Sequence, residues 1–341
     1  MNVAPDERPI VLWLVVCFLM VVAMIAIGAI TRLTESGLSM VEWRPLIGAL
    51  PPVGEAEWRR LFDLYRQTSE YRLENPGMGL AEFKTIFWWE YVHRLWGRLI
   101  GLAFGLPLAW FLIRRRVPQG MAPHLILLFV LGAMQGVIGW WMVKSGFVDR
   151  HDVSQYRLTI HLALALLILG YMEWLVLGMS GRGARRAAPA GLRRLALATL
   201  AAAALTALSG GLVAGLGAGM DYNTWPLMAG ELVPAGLFDA SPWWLGAFES
   251  PLTAQFDHRV LAYATAAMVI WFWLSARRAG IGGGGRRAAN ALLLMVALQI
   301  LLGISNLLLV VPIPLAVLHQ LGAVALFCLA LWAVHVLRAR S

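Results

Sequence analysis

The sequence predicts an all-α integral membrane protein whose eight transmembrane helices form two parallel-repeat four-helix bundles. Three observations carry that prediction. Of the 341 residues, 60% are hydrophobic, and the mean hydropathy of +0.69 is too high for a soluble domain. The apolar residues gather into runs of about 20 without charge, the length that crosses a bilayer. The order of motifs in the first half then returns in the second.

Taken in order, the apolar runs predict spans at 10–30, 87–113, 121–143, 157–178, 193–215, 256–276, 288–310 and 314–337. The first is too long for a signal-peptide core and no small-residue cleavage site follows it. The residues before it carry Asp6, Glu7 and a lone Arg8, not an Arg-rich leader, so a cleaved targeting segment is not expected. Arg114, Arg115 and Arg116, then Arg182, Arg185, Arg186, Arg193 and Arg194, then Arg277, Arg278, Arg286 and Arg287 mark alternate connections as cytoplasmic, and Arg338 and Arg340 add the C-terminus. Both termini are therefore expected in the cytoplasm. The net charge of +9 and pI of about 10.2 are read as topology signals, not as a nucleic-acid surface. Cys17 and Cys328 lie inside apolar runs, which leaves the loops no thiol for a disulfide or a metal.

The connection 216–256 holds Asp221, Glu231, Asp239 and Glu249 without Lys or Arg, as the outer face requires. In the other long outer loop, Trp58, Leu61, Phe62 and Tyr65 recur at helical spacing among charged residues, predicting an amphipathic helix on the outer membrane surface. Trp243 and Trp244 mark an interface. These loops either roof the sites below or only anchor the helices.

The two halves match in detail. Gly37-Leu38 and then Trp43-Arg44-Pro45-Leu46-Ile47-Gly48 correspond to Gly219-Met220 and then Trp225-Pro226-Leu227-Met228-Ala229-Gly230. Glu90, His93 and Arg94 correspond to Gln255, His258 and Arg259, Gln135 and Gly139 to Gln299 and Gly303, and His161 to His319. Four spans return the chain to its starting side, so the copies are expected to be parallel, about an axis along the membrane normal. The domains are then 1–180, a cytoplasmic linker 181–192, and 193–341.

His93, His161, His258 and His319 fall within about the first two turns of the four spans that run from outside to inside, hence in one layer near the outer face. Paired imidazoles on parallel helices suit the two axial positions of a porphyrin iron. Four residues on, one turn deeper, stand Gly97, Ala165, Ala262 and Ala323, small enough for a flat macrocycle to lie close. The alternative is that small residues serve helix packing and each histidine bonds a neighbour. His124, His151 and His335 have no repeat partner and read as loop or span-end residues. Arg94, Arg98 and Arg259 are candidates for pairing with porphyrin propionates, or else they snorkel to outer headgroups.

The copies differ most tellingly at Glu90 against Gln255. Glu90 precedes His93 by three residues and so shares its helical face. A carboxyl group gives and takes a proton, whereas an amide only hydrogen-bonds. This predicts a reacting porphyrin in the first half and an electron-carrying one in the second, with the alternative that Glu90 simply pairs with Arg94 or Lys84.

Thr31-Arg32-Leu33-Thr34-Glu35-Ser36-Gly37-Leu38-Ser39, Glu90-Tyr91-Val92-His93-Arg94, Gln135-Gly136 with Gly139-Trp140-Trp141-Met142, Asp257-His258-Arg259 and Leu318-His319-Gln320 together resemble the heme A synthase family in its bacterial form, over nearly the whole chain. The resemblance implies an oxidoreductase that converts a ring methyl of heme O to formyl by two successive hydroxylations, giving heme A for terminal oxidases. It also implies a resident heme b on His258 and His319, substrate heme O on His93 and His161, and Glu90 in catalysis. Implied partners are heme O, membrane lipid, the upstream heme O synthase (a protoheme farnesyltransferase) and an electron acceptor; a homo-oligomer is compatible and nucleic acid is not expected. The implied location is the bacterial inner membrane, with the hemes near the periplasmic face. Some members carry cysteine pairs in the outer loops, and this chain has none there. The rival readings are a quinol-linked diheme electron carrier and a heme transporter or chaperone. The shared histidine layer counts against transmembrane electron conduction, and labile heme of unchanged chemistry would mark the transporter.

Overall fold

The computed structural model describes residues 7–42, 48, 50–148, 153–180 and 188–338. The motif at 43–47, His151, the linker arginines Arg182, Arg185 and Arg186, and Arg340 lie outside the described residues. All eight expected spans are present as helices long and apolar enough to cross a membrane. They are α1 (Arg8–Leu33), α4 (Leu80–Ile113), α5 (Ala122–Val148), α6 (Gln155–Met179), α7 (Ala190–Gly215), α9 (Pro251–Arg278), α10 (Gly283–Leu308) and α11 (Ile313–Leu337). Three short helices join them: α2 (Glu55–Tyr65), α3 (Ser69–Leu73) and α8 (Gly246–Glu249). Among the described residues there is no strand beyond an isolated bridge between Met228 and Glu231.

Three helices begin well before their apolar runs: α10 at Gly283 ahead of the expected 288, and α9 and α4 for evident local reasons. α9 starts at Pro251, ahead of the expected 256, because Ser250 caps it by accepting a hydrogen bond from the Thr253 amide at 3.3 Å. Proline at its first position needs no donor there. α4 starts at Leu80, ahead of the expected 87, because its first two turns are not lipid-facing but aromatic and buried. Phe83, Phe87 and Tyr91 pack with Trp58 and Tyr65 of α2, and the Trp58 and Phe87 rings meet edge to face at 4.9 Å.

The amphipathic helix forms with the expected face. Its apolar side, however, packs against the N-terminal turns of α4. Tyr65 is wholly buried and its hydroxyl accepts from Asn75 Nδ2 at 2.9 Å; burial pushes the phenol pKa above its ordinary value. Arg60 bonds Glu57 and Glu42, each at 2.8 Å, which ties α2 to the segment just after α1. Those carboxylates, Glu57 foremost, raise the guanidinium pKa.

The chain divides into two compact units, Leu19–His161 and Met1–Phe18 with Leu162–Ser341, so that α1 and α6 each contribute to both. The core of the second unit is built from small residues, with Ala196 and Ala203 of α7, Ala276 of α9, Ala288 of α10 and Ala330 and Ala333 of α11 around Val269, Phe272 and Leu292. Small side chains let helix backbones approach closely where lipid offers no hydrophobic drive to associate.

Candidate functional site

In the Leu19–His161 unit, α4 presents Glu90, His93, Arg94, Gly97 and Arg98 in that order. Glu90 is only 2% exposed. Its carboxylate accepts from Ser39 Oγ at 2.8 Å and the Met40 amide at 2.6 Å, and it pairs with Arg94. Of the partners weighed from sequence, Arg94 is therefore the one Glu90 has. Arg94 also donates to the Met40 carbonyl at 3.0 Å and to that of Glu42 at 3.4 Å. Carboxylate and guanidinium together clamp the turn after α1 onto the N-terminal half of α4.

The second unit repeats the clamp with opposite polarity at one point. Gln255, 3% exposed on α9, donates Nε2 to the Ala218 carbonyl at 2.7 Å and accepts from Arg259 at 3.0 Å. Arg259 then reaches the carbonyls of Tyr222 at 2.9 Å and Leu227 at 3.5 Å. Where the first loop offers donors to a carboxylate, the second offers a carbonyl to an amide. The exchange of Glu for Gln is thus matched by its surroundings. Arg94 and Arg259, candidates for propionate pairing, both spend donors on loop carbonyls; Arg259 Nε, buried, has no acceptor among the described residues.

The four histidines are each half-buried, and each leans on a glycine of another helix. A methyl placed on Gly139 of α5 would stand 3.0 Å from His161 Cε1 on α6, and one on Gly303 of α10 would stand 2.9 Å from His319 Cε1 on α11. The corresponding approach from Gly210 of α7 to His258 Cε1 is 3.2 Å, and from Gly28 of α1 to His93 Nε2 it is 3.6 Å. Gln135 and Gln299 pin the second histidine of each pair, donating Nε2 to the carbonyl of His161 at 3.0 Å and of His319 at 2.9 Å. Ser209 lies 2.8 Å from His258 Nδ1, leaving Nε2 of that ring for another partner. Gly97, Ala262 and Ala323 follow their histidines by one turn, and Ala165 follows His161 along α6; all four are half-buried. A methyl on Gly97 would only touch Met24 Cε at 3.4 Å. Arg98 lies one turn beyond Arg94, half-buried.

His124 is exposed at the start of α5. His335 is in the last turn of α11, as a span-end residue, yet it is wholly buried with its ring edge-on to Trp174 at 4.9 Å.

Residues 11–331 match the family model described as cytochrome oxidase assembly protein. The heme A synthase of Nitrosospira multiformis is 50% identical over 335 residues, covering 97% of this chain and 94% of its own. That of Parvibaculum lavamentivorans is 50% identical over 331 residues, with the same shares. The heme A synthase of Paracoccus denitrificans is 48% identical over 330 residues, 95% of this chain and 86% of its own.

The chain belongs to the heme A synthase family.

For a member of that family, the residues fit iron porphyrin. Each unit offers two half-buried imidazoles packed against glycines of neighbouring helices, and imidazole nitrogen is a standard axial donor to heme iron. Nδ1 of His161 and of His319 is buried without a partner among the described residues, and buried polar atoms ordinarily have one. Sequence reasoning missed Gly28, Gly210, Ser209 and Met40, and gave Ser39, quoted in the 31–39 stretch, no role of its own. The first two were within reach, since each stands nine residues before the matched Gly37 or Gly219. The others act through a rotamer or a backbone amide and leave no trace in spacing.

Proposed function

We propose that the protein is a heme A synthase, an enzyme of the bacterial inner membrane that oxidises a ring methyl of heme O to formyl in two successive hydroxylations. The observation that carries this reading is the buried Glu90, held by Ser39, Met40 and Arg94 one turn outward of His93 in one unit, against the neutral Gln255 at the matched place in the other. The identity to heme A synthases over nearly the full chain supports it.

In this reading His93 and His161 orient substrate heme O, while His258 and His319 hold a resident heme b. Bound heme b supplies one-electron transfer. Going from methyl to formyl by way of a hydrated aldehyde withdraws four electrons and four protons, and the protons need a titratable acceptor inside an apolar site. Glu90 takes that role at a carboxylate oxygen, and its three donors hold the group in one orientation between transfers. Arg94 and Arg259 keep the outer turns closed over the sites, and Arg94, Arg98 and Arg259 supply the positive charge that propionates would meet. Small residues at Gly97, Ala165, Ala262 and Ala323 let the macrocycles lie against the helices. The functional halves are 1–180 and 193–341, joined by the linker 181–192, with both termini cytoplasmic and the histidines near the periplasmic face. Heme O synthase upstream and an electron acceptor are the partners this chemistry needs.

The test is pigment chemistry. Protein purified from cells supplied with heme O is extracted, and the hemes are resolved by chromatography and mass. A formyl-bearing heme is expected from the native protein. Intact heme with its methyl unchanged in every preparation would leave an electron carrier or a transporter instead.

A further inference from the structure

The two imidazoles of the Leu19–His161 unit are not held alike. His161 is pressed against Gly139 through Cε1, in the pose that His258 takes on Gly210 and His319 on Gly303; in all three the order of approach is Cε1, Nδ1, Nε2. His93 breaks the pattern in two ways. Its gap to a methyl at Gly28 is 3.6 Å, against 2.9 to 3.2 Å for the others. The atom nearest Gly28 is Nε2, so the nitrogen that commonly binds iron is turned toward the α1 backbone. It also lacks, among the described residues, the ring hydrogen bond that Ser209 gives the matched His258 at 2.8 Å, although Nδ1 of the tightly seated His319 has none either. Dispersion falls steeply with separation, so a ring with extra slack on one wall changes rotamer more readily than one in full contact.

We propose that in the substrate site His161 is the standing axial ligand and His93 the exchangeable one. The proposal rests on the reading of this unit as the heme O site. On release, the bond between iron and imidazole breaks with its electron pair left on nitrogen, the ring relaxes toward Gly28, and the vacated sixth position opens on the side of the porphyrin that carries Glu90. In the resident site, where Gly210 and Gly303 crowd both rings, His258 and His319 would both stay on the heme. The slack at Gly28 thus separates a heme that can be worked on from one that only passes electrons.

Carbon monoxide is the probe, added to the dithionite-reduced, purified protein carrying both hemes and followed by optical difference spectra. One of the two hemes should bind it. His93→Ala should keep both pigments and bind carbon monoxide about tenfold faster or more, and His161→Ala should lose the substrate-site pigment. Gly28→Ala, whose methyl enters at ordinary contact distance, should keep both pigments and slow uptake. Binding at neither heme, an unchanged rate in Gly28→Ala, or pigment retained in His161→Ala but lost in His93→Ala would each overturn the assignment. Formyl production is scored separately. Formyl heme without this asymmetry sinks the ligand assignment alone, and the asymmetry without formyl heme sinks the functional reading alone.

Discussion

Gly303→Ala offers the sharpest test of the imidazole seats because two effects of opposite sign meet there. In a helix interior, alanine is favoured over glycine by roughly 1 kcal/mol, so the substitution should stabilise α10 if nothing leans on it. The structure places the new methyl 2.9 Å from His319 Cε1, where ordinary contact begins at 3.4 Å. One group must therefore retreat by about 0.5 Å, an overpacking that typically costs about 1 to 3 kcal/mol. The ring has little freedom to do so. Its carbonyl is pinned by Gln299 at 2.9 Å, and Gln299 is itself pressed against Gly322 of α11. If the strain falls on the bond from imidazole to iron, affinity for the resident heme drops by about five- to 150-fold. Heme occupancy by pyridine hemochrome, together with the low-spin g values of the oxidised protein, reads the result. Gly28→Ala is the internal control, since its methyl arrives at 3.6 Å and should leave occupancy intact. Full occupancy and unaltered g values in Gly303→Ala would refute the seat.

Further outcomes follow from the clamps and the outer helix. Glu90→Gln should retain heme, because the histidines are untouched, and abolish formyl product, because no titrating group remains even though the amide oxygen can still accept from Ser39 and Met40; product at the native level would remove Glu90 from the chemistry. Ser39→Ala leaves the Met40 amide and Arg94 in place and so should cost about 1.5 to 3 kcal/mol in holding the carboxylate, seen as a lower kcat with KM for heme O little changed; a raised KM at constant kcat would point to a binding role. Gln299→Leu leaves the His319 carbonyl without its donor and should weaken resident heme while sparing the Leu19–His161 unit, whose own glutamine is Gln135; equal loss at both hemes would contradict it. Trp58→Ala removes a side chain packed on Phe87 and should destabilise the outer helix by about 3 to 5 kcal/mol, exposing 50–78 to protease while heme spectra hold; an unchanged digestion pattern would show that α2 docks by other means.

Most of the fold was legible because a bilayer leaves few options. Every backbone polar group must be satisfied within the span, so an apolar run of sufficient length becomes a helix, and all eight expected spans form. The starts of α4 and α9 were not legible, for the added turns are polar or aromatic and are stabilised by a docked neighbour and a serine cap. The same limit applies to α2. Its amphipathic spacing was plain, but spacing names an apolar face without naming what covers it, and that face packs onto Phe83, Phe87 and Tyr91. At the candidate site, the sequence supplied residue types and their order along the chain but not their partners. The glycine seats, the Ser209 bond and the loop clamps depend on which backbone atoms happen to face inward, information a single sequence carries only weakly.

The clamps also bear on the difference between the two units. A change of Glu to Gln in one repeat would ordinarily leave a buried amide facing donors meant for a carboxylate, at a cost of about 1 to 3 kcal/mol for each group left unsatisfied. No such debt remains at Gln255, because its loop turns the Ala218 carbonyl toward Nε2 at 2.7 Å where the other loop turns Ser39 Oγ and the Met40 amide toward Glu90. The arginine is kept in both, bonded to the residue four before it and to two loop carbonyls. Closure of the loop is therefore a need shared by the two units, and the titrating group is not. Swapping only the side chain should accordingly fail to move the chemistry: Gln255→Glu sets a carboxylate against the Ala218 carbonyl, a repulsion that favours its protonated form or loosens the loop. The prediction is that Gln255→Glu, alone or combined with Glu90→Gln, yields no formyl heme. Product from the double variant would show that the loops are interchangeable and that the carboxylate alone decides which heme reacts.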